Sequence, residues 1–123
     1  MSERLIRDFC EAWSRKDIDE LLGYFADNAV YHNIPVDPAQ GQDAIRGVMN
    51  MFVPMAKEIT FEIKHLAEDG NTVLTERIDT FVMEGGTISL PVMGTFEVES
   101  GKIKAWRDYF DMQQFMSQMP GAS

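Results

Sequence analysis

Ile59-Thr60-Phe61-Glu62-Ile63-Lys64 is where the hydrophobic period of the chain changes. Ile59, Phe61 and Ile63 alternate with Thr60, Glu62 and Lys64, so one face is apolar and the other polar, as in a half-buried β-strand. Upstream the period is helical: Leu5, Ile6, Phe9, Cys10 and Trp13 recur at helical spacing and make one apolar stripe. Downstream, each segment reads as a strand entered through a turn. Asp69-Gly70 precedes a strand over Thr72–Met83, Glu84-Gly85-Gly86 one over Thr87–Glu99, and Ser100-Gly101 one over Lys102–Phe110. Helices first, then a meander of long strands, specify an α+β fold. The architecture expected is a strongly curved antiparallel or mixed sheet wrapped over the N-terminal helices as a cone closed at one end.

Between the two regimes the punctuation is local. Asp17 with Glu20 three residues on reads as a capping box opening a second helix over Ile18–Phe25, ended by Asp27-Asn28. Ala29–Asn33 reads as a short strand, and Pro35, Pro38 and Gly41 then impose a loop. A helix follows from about Gln42, with Ile45, Val48, Met49, Phe52 and Ala56 as its buried stripe and Pro54 near its end, expected to kink or terminate it. A short C-terminal helix carries Met112, Phe115, Met116 and Met119. Cys10 lies on the first apolar stripe and reads as a small buried hydrophobe rather than a nucleophile.

With 123 residues, 45% hydrophobic and 11% aromatic, residues 1–123 are expected to form one domain with a core of its own. A formal net charge of −9 argues against nucleic acid or an anionic membrane as partner. The single cysteine leaves no internal disulfide and no Cys-based zinc site. Met1-Ser2-Glu3-Arg4 opens straight into the amphipathic pattern without signal-peptide character, and no apolar run approaches membrane-spanning length. A soluble, cytoplasmic protein is expected, with no internal repeat or low-complexity segment.

Chemistry-bearing motifs are sparse. There is no Gly-rich phosphate loop, no Gly-x-Ser-x-Gly elbow and no metal-ligand cluster; His32 and His65 stand alone, so no metal is expected. Three groups of polar residues remain. Arg77 and Asp79 lie two apart on one strand, on a face with Val73, Thr75 and Phe81. Asp108 lies between Trp106 and Phe110 on one face of the last strand, in Trp106-Arg107-Asp108-Tyr109-Phe110-Asp111. Tyr31 and Asn33 lie two apart on the first strand. A buried guanidinium must be paired, and one held between two carboxylates drives their protonation states apart. Periodicity alone leaves the opposite choice open, because Leu74, Ile78 and Val82 make the other face of that strand the more apolar; Arg107 and Tyr109 are the inward alternative for the last strand.

Val30-Tyr31-His32-Asn33-Ile34-Pro35, Thr75-Glu76-Arg77-Ile78-Asp79 and Lys102 to Asp111, with Leu90-Pro91-Val92-Met93-Gly94-Thr95-Phe96 between them, together resemble the limonene-1,2-epoxide hydrolase family, in order and over nearly the whole chain. The resemblance implies the cone-shaped nuclear-transport-factor-2-like fold, also called SnoaL-like. It implies a cofactor-independent epoxide hydrolase in which Asp79 is the general acid, Asp108 the general base, Arg77 the bridge between them, and Tyr31 and Asn33 the groups that hold the water with Asp108. It also implies a homodimer, and as partners a small lipophilic, terpene-like epoxide and water. Phe52, Phe81, Leu90, Val92, Trp106 and Phe110 are the expected liners of an apolar pocket. Two other readings belong to the same fold: an isomerase or cyclase of steroid- or polyketide-like substrates, and a non-catalytic small-molecule-binding module. Neither needs an arginine between two acids.

Overall fold

The computed structural model describes residues 2–120. Helix α1, Ser2–Ala12, is followed by a 3-10 turn, Trp13–Arg15, and by α2, Ile18–Leu22. Strand β1 spans Phe25–Asn33, β2 Ala39–Gln40, and helix α3 Gln42–Phe52. The long strands β3 (Ala56–Asp69), β4 (Thr72–Met83), β5 (Gly86–Glu99) and β6 (Lys102–Tyr109) then run to helix α4, Met112–Ser117. All six strands form one sheet in the order β2-β1-β6-β5-β4-β3. Every neighbouring pair is antiparallel except β1 and β6, which are parallel. This is the α+β class the periodicity predicts: a curved sheet with one face turned to the helices.

Local chemistry explains most of the boundaries. Asp17 caps α2 by accepting a hydrogen bond from Glu20 N. The Glu20 carboxylate pairs with Arg15 instead of closing the capping box, and the helix stops at Leu22 with Gly23 as its C-cap. The expectation that α2 reaches Phe25 is therefore corrected. Asp27 and Asn28 lie inside β1, which starts four residues before the predicted Ala29 because Phe25 pairs with Ile103 on β6. Ser100 and Gly101, at φ 52° and 74°, supply the two left-handed positions of a tight hairpin between β5 and β6. Register breaks between Ala56 and Glu58 and between Ile63 and His65 put an extra residue into β3, and the break opposite Glu97 and Val98 puts one into β6; these bulges bend the two strands and add to the curvature of the sheet.

The closed end is packed with aromatic rings. Phe9 of α1 makes edge contacts with Trp13, Tyr24, Phe25, Phe96 and Trp106, with centroids 5.1–6.1 Å apart. Ile6, Phe9 and Cys10 of α1 are buried, as the helical stripe predicts. Burial pushes the Cys10 thiol up to about 12, so it stays protonated and packs as a hydrophobe. Replacing Phe9 with Ala removes the ring that joins α1 to β1, β5 and β6. We expect a loss of about 3–5 kcal/mol, read as a lowered urea midpoint at unchanged slope.

Candidate active site

The inward face of the sheet carries a row of four residues at matching register on four strands: Thr75 on β4, Gly94 on β5, Asp108 on β6 and Asn33 on β1. Arg77, two residues beyond Thr75, is completely buried. Its guanidinium reaches from β4 across β5 to β6, and all five of its N–H bonds are used. Nε donates to Asp79 Oδ1 at 3.0 Å and Nη2 to Asp79 Oδ2 at 2.8 Å. Nη1 donates to Asp108 Oδ1 at 3.1 Å, and Nη2 to Asp108 Oδ2 at 2.8 Å. The fifth bond runs from Nη1 to Thr75 Oγ1 at 3.1 Å. The rings of Phe61, Phe96 and Trp106 surround the cation with centroids 5.1–5.9 Å from Cζ.

The two carboxylates differ in their surroundings. Asp108 accepts a third hydrogen bond, from Trp106 Nε1 at 2.7 Å, and so faces three N–H donors. Asp79 has Arg77 as its donor and is 4% exposed. Burial pushes the Asp79 carboxyl up to about 6, with Asp108 adding to the rise and Arg77 opposing it. If both acids were ionised, the buried group would carry a net negative charge, and a single proton shared between them neutralises it. Tyr31 lies flat on Trp106, centroids 4.2 Å apart, and burial raises its phenol well above the ordinary value, next to the Asp108 charge. The parallel pairing of β1 with β6 sets Tyr31 opposite Trp106 and Asn33 opposite Asp108.

Tyr31, Asn33, Asp79 and Asp108 all line the same cavity of about 500 Å³. Of the expected apolar liners, Phe52, Phe81, Leu90, Val92 and Phe110 line it too. Trp106 does not, and that expectation is corrected: Tyr31 lies over one face of its ring and Phe96 stacks 5.3 Å away. Its part is to hold Asp108 from behind. Arg77 likewise lies behind the two carboxylates. The outer end of the cavity is formed by exposed Val36, Met51, Met55 and Met116. Helix α4, capped by Asp111 and tied to β5 by two hydrogen bonds between Gln118 and the Ser89 backbone, supplies one wall. His32 bonds to the Val36 carbonyl and exposed His65 to Glu76, so neither histidine joins the site.

A family profile described as the limonene-1,2-epoxide hydrolase catalytic domain matches residues 1–121. The chain belongs to the limonene-1,2-epoxide hydrolase family. At that level it is an epoxide hydrolase. Among curated relatives it is 32% identical to epoxide hydrolase EphG of Mycobacterium tuberculosis over 109 residues, 87% of this chain and 71% of that one. A solved structure of an M. tuberculosis LEH-like epoxide hydrolase superposes with a TM-score of 0.78 at 30% identity, covering 94% of this chain and 86% of the other. A SnoaL-like polyketide cyclase from Shewanella denitrificans reaches a TM-score of 0.85 over 95% of both chains at only 17% identity. That second likeness shows the shared nuclear-transport-factor-2-like fold and nothing of the chemistry.

Two residues to which the resemblance assigns no role make this geometry possible. Thr75 gives Arg77 its fifth acceptor. Gly94 gives it room, because a Cβ there would collide with Arg77 Nη1, lie 2.6 Å from Asp108 Oδ1 and lie 3.0 Å from Thr75 Oγ1. A glycine in the middle of a strand is the one signal that could have marked the place, since it weakens the strand and often marks a close approach. Gly94→Ala is expected to destabilise the fold by about 1–3 kcal/mol through overpacking. A crystal structure of the variant should show the Arg77–Asp108 pair separated; an unmoved pair would contradict this account of Gly94.

Proposed function

We propose that this chain hydrolyses a lipophilic, terpene-like epoxide to the trans vicinal diol in one step, with Asp79 as general acid and Asp108 as general base. The observation that carries this reading is the buried Asp79–Arg77–Asp108 group at the floor of an apolar cavity. Opening an oxirane requires a proton on the leaving oxygen as the C–O bond breaks, together with a nucleophile on the opposite side. Asp79, pushed up to about 6, keeps a protonated fraction near neutral pH far larger than an ordinary aspartate would, and that form gives its proton to the oxygen. Asp108 takes a proton from the water that Tyr31 and Asn33 hold with it, and the water oxygen attacks the ring carbon. One bond forms and one breaks, and moving one proton from Asp108 to Asp79 resets the pair. The carboxylates and the arginine supply all the acid–base chemistry of this step, so no cofactor takes part in it.

The apolar walls select for an uncharged substrate of terpene size or larger. On the outer face of the sheet, exposed Leu74, Met93 and Tyr109 lie on three adjacent strands. We assign that surface to a homodimer contact, and the working protein to the cytoplasm as the domain 1–123. Sedimentation should find a dimer that Met93→Asp splits; a wild-type monomer removes this assignment.

Because Asp79 must be protonated to act, turnover should fall about tenfold per unit as pH rises above about 6. Asp79→Asn, Asp108→Asn and Arg77→Ala should each abolish most turnover without adding, while Tyr31→Phe loses less. A single turnover in oxygen-18 water, with enzyme in excess, separates direct attack by water from a covalent aspartyl ester. Label is expected in the diol at once and in neither carboxylate. An unlabelled diol, with label appearing in Asp108, would make that residue a nucleophile.

A further inference from the structure

Strand β6 leaves the sheet before β5 does. Tyr109, its last residue, pairs with Met93, so residues 86–92 of β5 have β4 on one edge and no strand on the other. Ile88, Leu90 and Val92 of this stretch still line the cavity. Native proteins fill or blunt such an open edge, and here both devices occur. At Ser89 the Gln118 side chain takes the place of the missing strand: Oε1 accepts from Ser89 N at 2.9 Å, and Nε2 donates to Ser89 O at 2.9 Å. That is the exchange of N–H and C=O by which two residues of an antiparallel ladder pair. Pro91, two residues on and so directed to the same edge, has no N–H to leave open. The second hydrogen on Gln118 Nε2 donates to Gln114 O at 3.0 Å, which ties the amide to the last turn of α4.

Helix α4 has six residues, too few to be stable alone, and none of them is buried. Among the described residues, residues 112–120 make no other hydrogen bond to the sheet. Phe115 meets the rings of Phe52 and Phe110 at 6.2 and 6.3 Å, and Pro120 lies over the turn at Gly85 and Gly86. Yet Met112, Phe115, Met116 and Met119 form one wall of the cavity. The Asp79–Arg77–Asp108 floor, by contrast, is bonded together by groups on β4 and β6 alone. We infer that Gln118 is a positioning residue that sets the size of epoxide the cavity accepts. Held by its amide, α4 closes over a small substrate; released, it gives way to a larger one. The inference rests on the reading of the cavity as a lipophilic-epoxide site and adds to it a movable wall beside a fixed floor.

Cyclohexene oxide, limonene 1,2-epoxide and trans-stilbene oxide, in rising order of size, test it. Gln118→Ala loses both bonds to Ser89. Its kcat for cyclohexene oxide should stay within about twofold of the wild type, because the floor is untouched, while KM rises about three- to tenfold. KM for stilbene oxide should fall, so the preference for the large epoxide over the small one rises by about tenfold or more. Gln118→Glu supplies a rescue that a merely stabilising residue would not show. Its carboxylate cannot donate to Ser89 O, whereas the carboxylic acid offers one donor and one acceptor in nearly the geometry of the amide. As pH falls through about 4.3, the ordinary glutamate value, its size preference should move from that of Gln118→Ala to that of the wild type. Wild-type enzyme at each pH cancels the titration of Asp79. Amide hydrogen exchange in Gln118→Ala should speed up at Ser89 and over residues 113–118, and not at Arg77 or Asp108. A size preference equal in all three proteins, or unchanged exchange across α4, overturns the inference and leaves the lipophilic-epoxide reading standing. If the wild type hydrolyses none of the three epoxides, the inference falls together with the reading of the cavity on which it rests.

Discussion

Arg77 reaching over Gly94 is the contact on which the rest of the site depends. The guanidinium starts on β4, its second carboxylate is on β6, and β5 lies between them. Any side chain at Gly94 would occupy the space the guanidinium crosses. Once across, the cation has no water to turn to, so each of its five donors needs a protein acceptor. Asp79, Asp108 and Thr75 provide all five. Removing one acceptor leaves part of a buried charge unpaired, at a cost of about 3–5 kcal/mol. The cluster is thus a structural clamp holding β4 to β6 as well as the proposed set of reactive groups.

The same clamp divides the acids. Asp108 is held by Trp106 as well as Arg77, and the ring that holds it is itself pinned between Tyr31 and Phe96. The aromatic floor thereby fixes the direction of the proposed base, while the parallel pairing of β1 brings Asn33 alongside. Asp79 faces the cavity with Arg77 alone as its donor. In the proposed mechanism, one arginine serving two differently surrounded carboxylates is what lets Asp79 act as the acid and Asp108 as the base.

Much of this was legible in the sequence, and the exceptions are instructive. The span of β4 and the change of period at Ile59 follow from alternation and turn residues. The face of β4 does not. Ile78 and Val82 lie on the outer face, half-buried, with exposed Leu74, while Arg77 and Asp79 point inward. Hydrophobic periodicity favours the wrong face wherever a sheet uses polar residues in a pocket and apolar ones on its back. The conjunction of Tyr-x-Asn, Arg-x-Asp and Trp-Arg-Asp on three strands singled out residues that the structure does bring to one cavity, but it could not show that Trp106 stands behind the cavity rather than in its wall. The end of α2 and the early start of β1 depend on the pairing of Phe25 with Ile103, a contact between residues far apart in sequence that no local pattern encodes.

The buried Asp79 carboxyl also limits how stable the protein is near neutral pH. The unfolded chain binds a proton at Asp79 with the ordinary value of 3.8, whereas the folded protein holds it up to about 6. Between those two values the native state binds more protons than the unfolded one, so stability declines as pH rises through that window. The contribution of this group is fully present below the unfolded value and is lost as pH rises through the folded one. At neutral pH the protein keeps Asp79 in surroundings that no longer stabilise the fold and that resist its ionisation. A site optimised for stability would expose that carboxyl or replace it with a neutral side chain. In the proposed mechanism, the resistance to ionisation that weakens the fold is also what leaves a proton available to a strained ether oxygen, and the aromatic packing around Phe9 and Trp106 offsets elsewhere in the core what burying Asp79 costs.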